Sequence, residues 1–219
     1  MYSVVEENYL KALLTLANSD DEVSINELSK RLKIKMPTVN SMMKRFVEKE
    51  LITYESYKPV RLTAKGKREA AMVIRKHRLT EMFLVEKMDF NWEEVHEIAE
   101  QIEHIKSPLF FEKMDALLGY PKFDPHGSPI PDKNGDVAET AYVALSQCAL
   151  KDEVILKAVS DSSEGFLRFL NGRSILLGDQ IRVMAKEPFD GSMQVEVIGK
   201  STEMFSQLIC DKLMVEKAK

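Results

Sequence analysis

Apolar residues in the first third of the chain recur at helical spacing. Val5, Tyr9, Leu10, Leu13, Leu14 and Leu16 fall near one face of a helix over 4–18. Ser24 opens a second helix as Ser-Ile-Asn-Glu, a capping-box pattern with a carboxylate three residues after the hydroxyl. Ile25, Leu28 and Leu32 form its buried stripe, and Lys33, Ile34 and Lys35 make a short turn. Pro37 suits the first position of a third helix, where a missing N–H costs nothing. Val39, Met42, Met43, Phe46 and Val47 face inward there. Two short β-like runs follow at 51–54 and 60–62, with 55–59 turning the chain between them. This order predicts a winged helix-turn-helix.

Thr63 caps a long helix over 64–88, basic early and apolar late. Asn91 and Glu94 mark the start of another helix, reaching about residue 105. Ser107 and Pro108 open one over 109–118, stopped by Gly119. Residues 120–137 are rich in Pro and Gly and read as a linker. Beyond it the period changes. Runs at 153–156, 180–184 and 193–198 predict strands, Asp190-Gly191 a turn, and 164–170 a short helix. The fold class is mainly α with small β parts, in three domains: 1–70, 71–137 and 138–219, the last a small barrel-like β domain.

No run of about 18 apolar residues occurs, so no membrane span is expected. The acidic start does not resemble a signal peptide, and two cysteines do not make a disulfide framework. A cytoplasmic protein is the expectation. The net charge of −4 conceals an uneven distribution. Residues 24–78 carry 15 Lys+Arg against 5 Asp+Glu, a local charge of +10, so one basic segment sits in an otherwise acidic chain. That pattern predicts a polyanion bound at one end. On the third helix, Thr38, Asn40, Ser41, Lys44 and Arg45 lie opposite the apolar stripe. The N-terminal residues of such a helix reach base edges in a major groove, so Pro37, Thr38, Asn40 and Ser41 are the expected reading residues. Lys35, Lys44, Arg45 and Lys49 are expected on phosphates, and Lys58 at the tip of the wing.

His96, Glu100, Glu103 and His104 recur at i, i+4, i+7 and i+8 and share one helix face. His77 and Glu81, at i and i+4, form a second pair of ligand type on the preceding helix. Two imidazoles and two carboxylates stacked on one stripe need a cation or several Lys/Arg to compensate them. Oxygen and imidazole donors without thiolate favour Mn2+ or Fe2+. Glu100 stands where a zinc-peptidase motif would have its second His, so that enzyme class is excluded.

The stretches EENYLKAL, MPTVNSMMKRF, LTAKGKREA, RKHRLTEMFL, VHEIAEQIEH and DPHGSPIP together resemble the diphtheria-toxin-repressor and manganese-transport-regulator family of metal-dependent repressors. The resemblance spans nearly the whole chain. It implies a winged-helix DNA reader, a helical metal-binding and dimerisation domain, and a carboxy-terminal SH3-like barrel. It implies Asn8, Glu100, Glu103 and His104 as one ligand set, and His77, Glu81 and His96 as a second, joined by Asp161 of the SH3-like domain. Iron-type members carry Cys at the position of Glu100, which leans the choice toward manganese. Asn8 replaces the usual Asp or Met, and Lys11 stands where some manganese-type members place a ligand Glu. The expected protein is a homodimer that binds palindromic operator DNA when Mn2+ or Fe2+ is bound, controls metal-uptake genes, and has no membrane partner and no small organic substrate. The rival readings are a metal-dependent hydrolase and a winged-helix regulator that senses an organic ligand.

Overall fold

The computed structural model describes residues 2–18, 20–55 and 58–218. Four helices and a three-stranded sheet form the first unit. Helix α1 (Val4–Leu16) begins at Ser3, whose hydroxyl accepts from the Glu6 amide while the Glu6 carboxylate accepts from the Ser3 amide. This reciprocal cap lies where sequence reading expected none. Helix α2 (Ile25–Leu32) starts after Ser24 as expected, but the Ser24 hydroxyl makes no capping bond. Helix α3 (Met36–Glu48) carries Pro37 in its first turn, one residue later than expected.

Strands β1 (Glu22–Val23), β2 (Ile52–Thr53) and β3 (Val60–Leu62) pair antiparallel in the order β1-β3-β2. The turn expected over 55–59 includes positions 56 and 57, which lie outside the described residues. Tyr9, Leu10, Leu13, Leu28, Val39, Met43, Phe46, Leu51 and Val60 fill the core beneath. Each such fully buried large apolar side chain contributes roughly 2 kcal/mol. Val5 and Val47, both placed inward by periodicity, are exposed.

Helix α4 (Ala64–Met88) starts at Thr63, whose hydroxyl accepts from the Gly66 amide. It runs from the winged unit into the helical unit. There it packs on α5 (His96–Ile102) and α6 (Pro108–Leu117) around Leu79, Phe111, Met114 and Ile130. Helix α5 is shorter than expected. Residues 91–95 form turns, with the Asn91 amide bound to the Glu94 carboxylate, and the helix starts only at His96.

Residues 120–137 are not a free linker. Asp124 accepts from the His126 and Ser128 amides, an Asx turn that folds the segment back on itself. Arg78 and Arg75 of α4 donate to the carbonyls of Pro129 and Pro131 and pin it down. Gly127, at φ +82°, is where a Cβ would meet the Lys157 carbonyl oxygen at 2.0 Å, so glycine permits the close approach.

The last unit is a six-stranded antiparallel sheet: β4 (Val143–Ala144), β5 (Glu153–Val159), β6 (Gln180–Lys186), β7 (Met193–Val197), β8 (Thr202–Phe205) and β9 (Leu213–Lys217). Its order is β4-β9-β5-β6-β7-β8. Strands β4 and β8 are its edges, so the sheet curls without closing into a barrel. Bulges between Leu156 and Ala158 and between Val183 and Ala185 mark where β5 and β6 shift register. Helices α7 (Glu164–Asn171) and α8 (Gln207–Cys210) help cover the core. Trp92 packs against this core and donates to the Asn171 side chain at 2.8 Å, joining the helical unit to the sheet unit.

Candidate metal centre and nucleic-acid interface

Helical spacing puts His77 and Glu81 one turn apart on α4, and His96 and Glu100 one turn apart on α5. Glu103 caps α5, and His104 follows it. Where the two helices face each other these side chains converge. His77 Nδ1 lies 2.5 Å from Glu103, and His77 Nε2 lies 2.9 Å from Glu81 and 3.2 Å from His96 Nδ1. His96 Nδ1 is 3.2 Å from Glu81, and His96 Nε2 is 3.6 Å from Glu100. Glu103 is fully buried and Glu81 nearly so.

Burial alone pushes the His77 imidazole down. Its hydrogen bonds to Glu103 and Glu81 outweigh that and raise its pKa to about 9. Burial pushes both carboxyls up, yet His126, His77 and His96 hold Glu81 well below the usual range, and His77 and Lys11 hold Glu103 below it.

Four further residues enter this network. His126 stacks on Trp92, donates from Nε2 to the Trp92 carbonyl at 2.8 Å, and sets Nδ1 3.7 Å from Glu81. Asp124 joins them. Burial and the neighbouring Glu81 charge raise its carboxyl. Glu7 on α1 binds His104 Nδ1 at 2.6 Å. Lys11, one turn after Glu7, reaches Glu100 at 2.6 Å and both oxygens of Glu103 at 2.8 and 3.0 Å. Sequence reading assigned no role to Glu7, Asp124 or His126. A capped Asx turn in DPHGSPIP was the one available signal for the last two.

Among the described residues, three groups have donor atoms within 4.8 Å of one another: His77, Glu81, His96; His77, Glu100, Glu103; and Glu81, Asp124, His126. Two expected ligands stand elsewhere. His104 is turned to Glu7, although its Nε2 remains 3.7 Å from Glu103. Asp161 sits outside the clusters because Lys212 takes its carboxylate, which also accepts from the Ser163 amide. The Asn8 Oδ1 is buried with no hydrogen-bond partner. A desolvated carbonyl oxygen of this kind costs about 1–3 kcal/mol unless a donor or a cation meets it. Unsatisfied amide oxygen, buried carboxylates and imidazoles form a donor set that fits a divalent cation of the Mn2+ or Fe2+ type.

The basic end is equally well defined. Lys35, Pro37, Thr38, Ser41, Lys44, Arg45 and Lys58 are exposed on α3 and beside it. Asn40 is half-buried and accepts from the Tyr54 hydroxyl at 3.2 Å. A groove between α3 and the wing is lined by Ser24, Asn26, Asn40, Lys44, Tyr54 and Lys58. Arg45 and Lys49 both pair with the buried Glu6 carboxylate, so part of their charge is compensated within the protein.

Three family profiles cover almost the entire chain. They are the iron dependent repressor N-terminal DNA binding domain at 1–60, the iron dependent repressor metal binding and dimerisation domain at 63–132, and the FeoA domain at 143–217. The solved structure of a manganese-dependent transcriptional repressor in complex with manganese superposes with a TM-score of 0.89 at 31% identity, covering 97% of this chain and 99% of that one. The chain belongs to the iron-dependent repressor family. This is a family of transcriptional repressors rather than enzymes. The structure of ScaR with bound Zn2+ matches with a TM-score of 0.83 at 32% identity, over 97% of this chain and 99% of that one. The iron-dependent repressor IdeR of Mycobacterium leprae (strain TN) is 33% identical over 125 residues, 57% of this chain. The match spans 54% of that protein, so this chain aligns with about half the length of the curated relatives. No helix among the described residues is long and apolar enough to cross a membrane.

Proposed function

We propose that this chain is a cytoplasmic, homodimeric transcriptional regulator whose binding to operator DNA depends on Mn2+ or Fe2+. Its parts are a DNA reader over 1–70, a metal-binding and dimerisation unit over 71–137 and an SH3-like unit over 138–219. The observation that carries this reading is the meeting of α1 with α5: Glu7 of the reader binds His104 and Lys11 binds Glu100 and Glu103 of the helical unit, with the unpartnered Asn8 Oδ1 between Glu7 and Lys11 in the sequence of α1.

Asn8, Glu100, Glu103 and His104 would hold a cation at one site. Glu81, Asp124 and His126, with His77 and His96 beside them, would hold one at a second. Asp161 would join the second only by leaving Lys212. A bound divalent ion supplies concentrated positive charge that satisfies buried carboxylates and an amide oxygen at once. The Asn8 carbonyl, as a ligand, would tie α1, and with it the reading helix α3, to the frame of α4 and α5.

In a dimer, two copies of α3 must stand about 34 Å apart to enter successive major grooves of a palindromic site. Fixing α1 on α5 removes the freedom that would otherwise oppose that spacing. Pro37, Thr38, Asn40 and Ser41 meet base edges, while Lys35, Lys44, Arg45 and Lys58 meet phosphates. Metal-uptake genes are the proposed targets.

The test is an anisotropy titration on a duplex selected from a random pool in the presence of Mn2+. The reading predicts at least tenfold tighter binding with Mn2+ than with chelator, and a reciprocal gain in Mn2+ affinity on adding duplex. Equal affinity in both conditions contradicts it.

A further inference from the structure

The ammonium of Lys11 stands among the carboxylate oxygens of Glu100 and Glu103, within 2.6–3.0 Å of three of them. Glu103 is fully buried, and the Lys11 side chain is only 17% exposed. Lys11 comes from α1, and its two partners come from α5 and its cap. The pair therefore spans the same junction as the proposed metal site. The unpaired Oδ1 of Asn8 lies one turn before Lys11 on α1. A carboxylate oxygen held at 2.6–2.8 Å by an ammonium has that lone pair engaged.

We propose that Lys11 is a tethered cation that competes with metal for Glu100 and Glu103. Resting on the reading of those residues as ligands, the inference assigns Lys11 a regulatory part in the same site. Metal enters only as the lysine withdraws to solvent, so the ion pair sets how much free metal is needed for occupancy. Lysine suits this part because its charge sits on a flexible four-carbon stem and is strongly hydrated once released. Asn8 fits the same design. A neutral ligand leaves the negative charge of the site to Glu100 and Glu103, the two groups Lys11 compensates.

The experiment measures Mn2+ affinity and stoichiometry by electron paramagnetic resonance of free Mn2+. The proteins are full-length wild type, Lys11→Gln, Lys11→Arg and Glu103→Ala. Lys11→Gln removes the competing charge and should bind Mn2+ at least tenfold more tightly. Lys11→Arg retains the charge and should stay within threefold of wild type. In chelator, Lys11→Gln should melt below wild type because the carboxylates lose their partner, and saturating Mn2+ should erase that difference.

Equal or weaker Mn2+ affinity in Lys11→Gln, with a stoichiometry that Glu103→Ala still reduces, overturns the competition and leaves the site reading intact. Unchanged stoichiometry in Glu103→Ala overturns the site reading itself. If Lys11→Gln does not fold without metal, refolding in Mn2+ followed by competition with a calibrated chelator gives the same affinity comparison.

Discussion

Replacing Glu103 by Gln keeps the shape of a fully buried side chain and removes its charge. In the wild type that charge binds His77 at 2.5 Å and is the leading influence raising the imidazole. A pKa raised from 6.5 to about 9 in the folded protein corresponds to roughly 3 kcal/mol of stability. A raised imidazole favours the fold fully below the unfolded value. The stabilisation is therefore complete below pH 6.5 and is lost as pH rises through about 9. His126, also raised against its burial by Glu81, contributes in the same direction.

Chelator-treated wild type should therefore lose on the order of 3 kcal/mol between pH 6 and pH 9.5. Glu103→Gln should lose much of that amount already at pH 6 and show a flatter profile above it. Trp92, the single tryptophan, stacks on His126, so its fluorescence during urea unfolding reports the unit in question. A wild-type midpoint independent of pH across this window, or an unchanged slope in Glu103→Gln, refutes the reasoning.

Three other outcomes are expected. Gly66→Ala places a Cβ 1.9 Å from the Leu51 carbonyl oxygen, forcing α4 off the base of the wing; a loss of about 3 kcal/mol or more should appear as a lower urea midpoint. Lys44→Ala, on the exposed face of α3, should weaken DNA binding evenly across sequences and reduce the slope of log affinity against log salt by about 1, read from anisotropy titrations at several salt concentrations. Cys148 and Cys210 are buried, and burial raises the Cys210 thiol to about 11, so a disulfide reagent should label neither until urea unfolds the protein.

The winged unit was legible because its signals are local: a 3.6-residue apolar period, a proline in the first turn of α3 and a Thr cap on α4. The His and Glu pairs on α4 and α5 were legible for the same reason, since i, i+4 spacing fixes a shared face. What joins distant segments was not. Lys11 and Glu100 are 89 positions apart, and no helical period announces that their side chains meet. Residues 120–137 carry the composition of a loop, yet Asp124 and His126 are buried because an Asx turn and two arginines from α4 hold the segment down. Turn composition predicts the bend and says nothing of what the bend packs against. Asp161 illustrates the converse. The resemblance pointed to it, but the cation beside it is Lys212, from the turn between α8 and β9.

The proposed role of the carboxylates and imidazoles between α1, α4 and α5 is to hold a cation joining the reader to the helical unit. Anomalous scattering from crystals grown with Mn2+, collected on both sides of the manganese edge, tests it most directly. A manganese peak should appear coordinated by Glu100, Glu103 and His104, with the Asn8 carbonyl oxygen turned onto it and Lys11 displaced. Crystals saturated with Mn2+ that show no peak there, with Lys11 still bound to Glu100 and Glu103, contradict it.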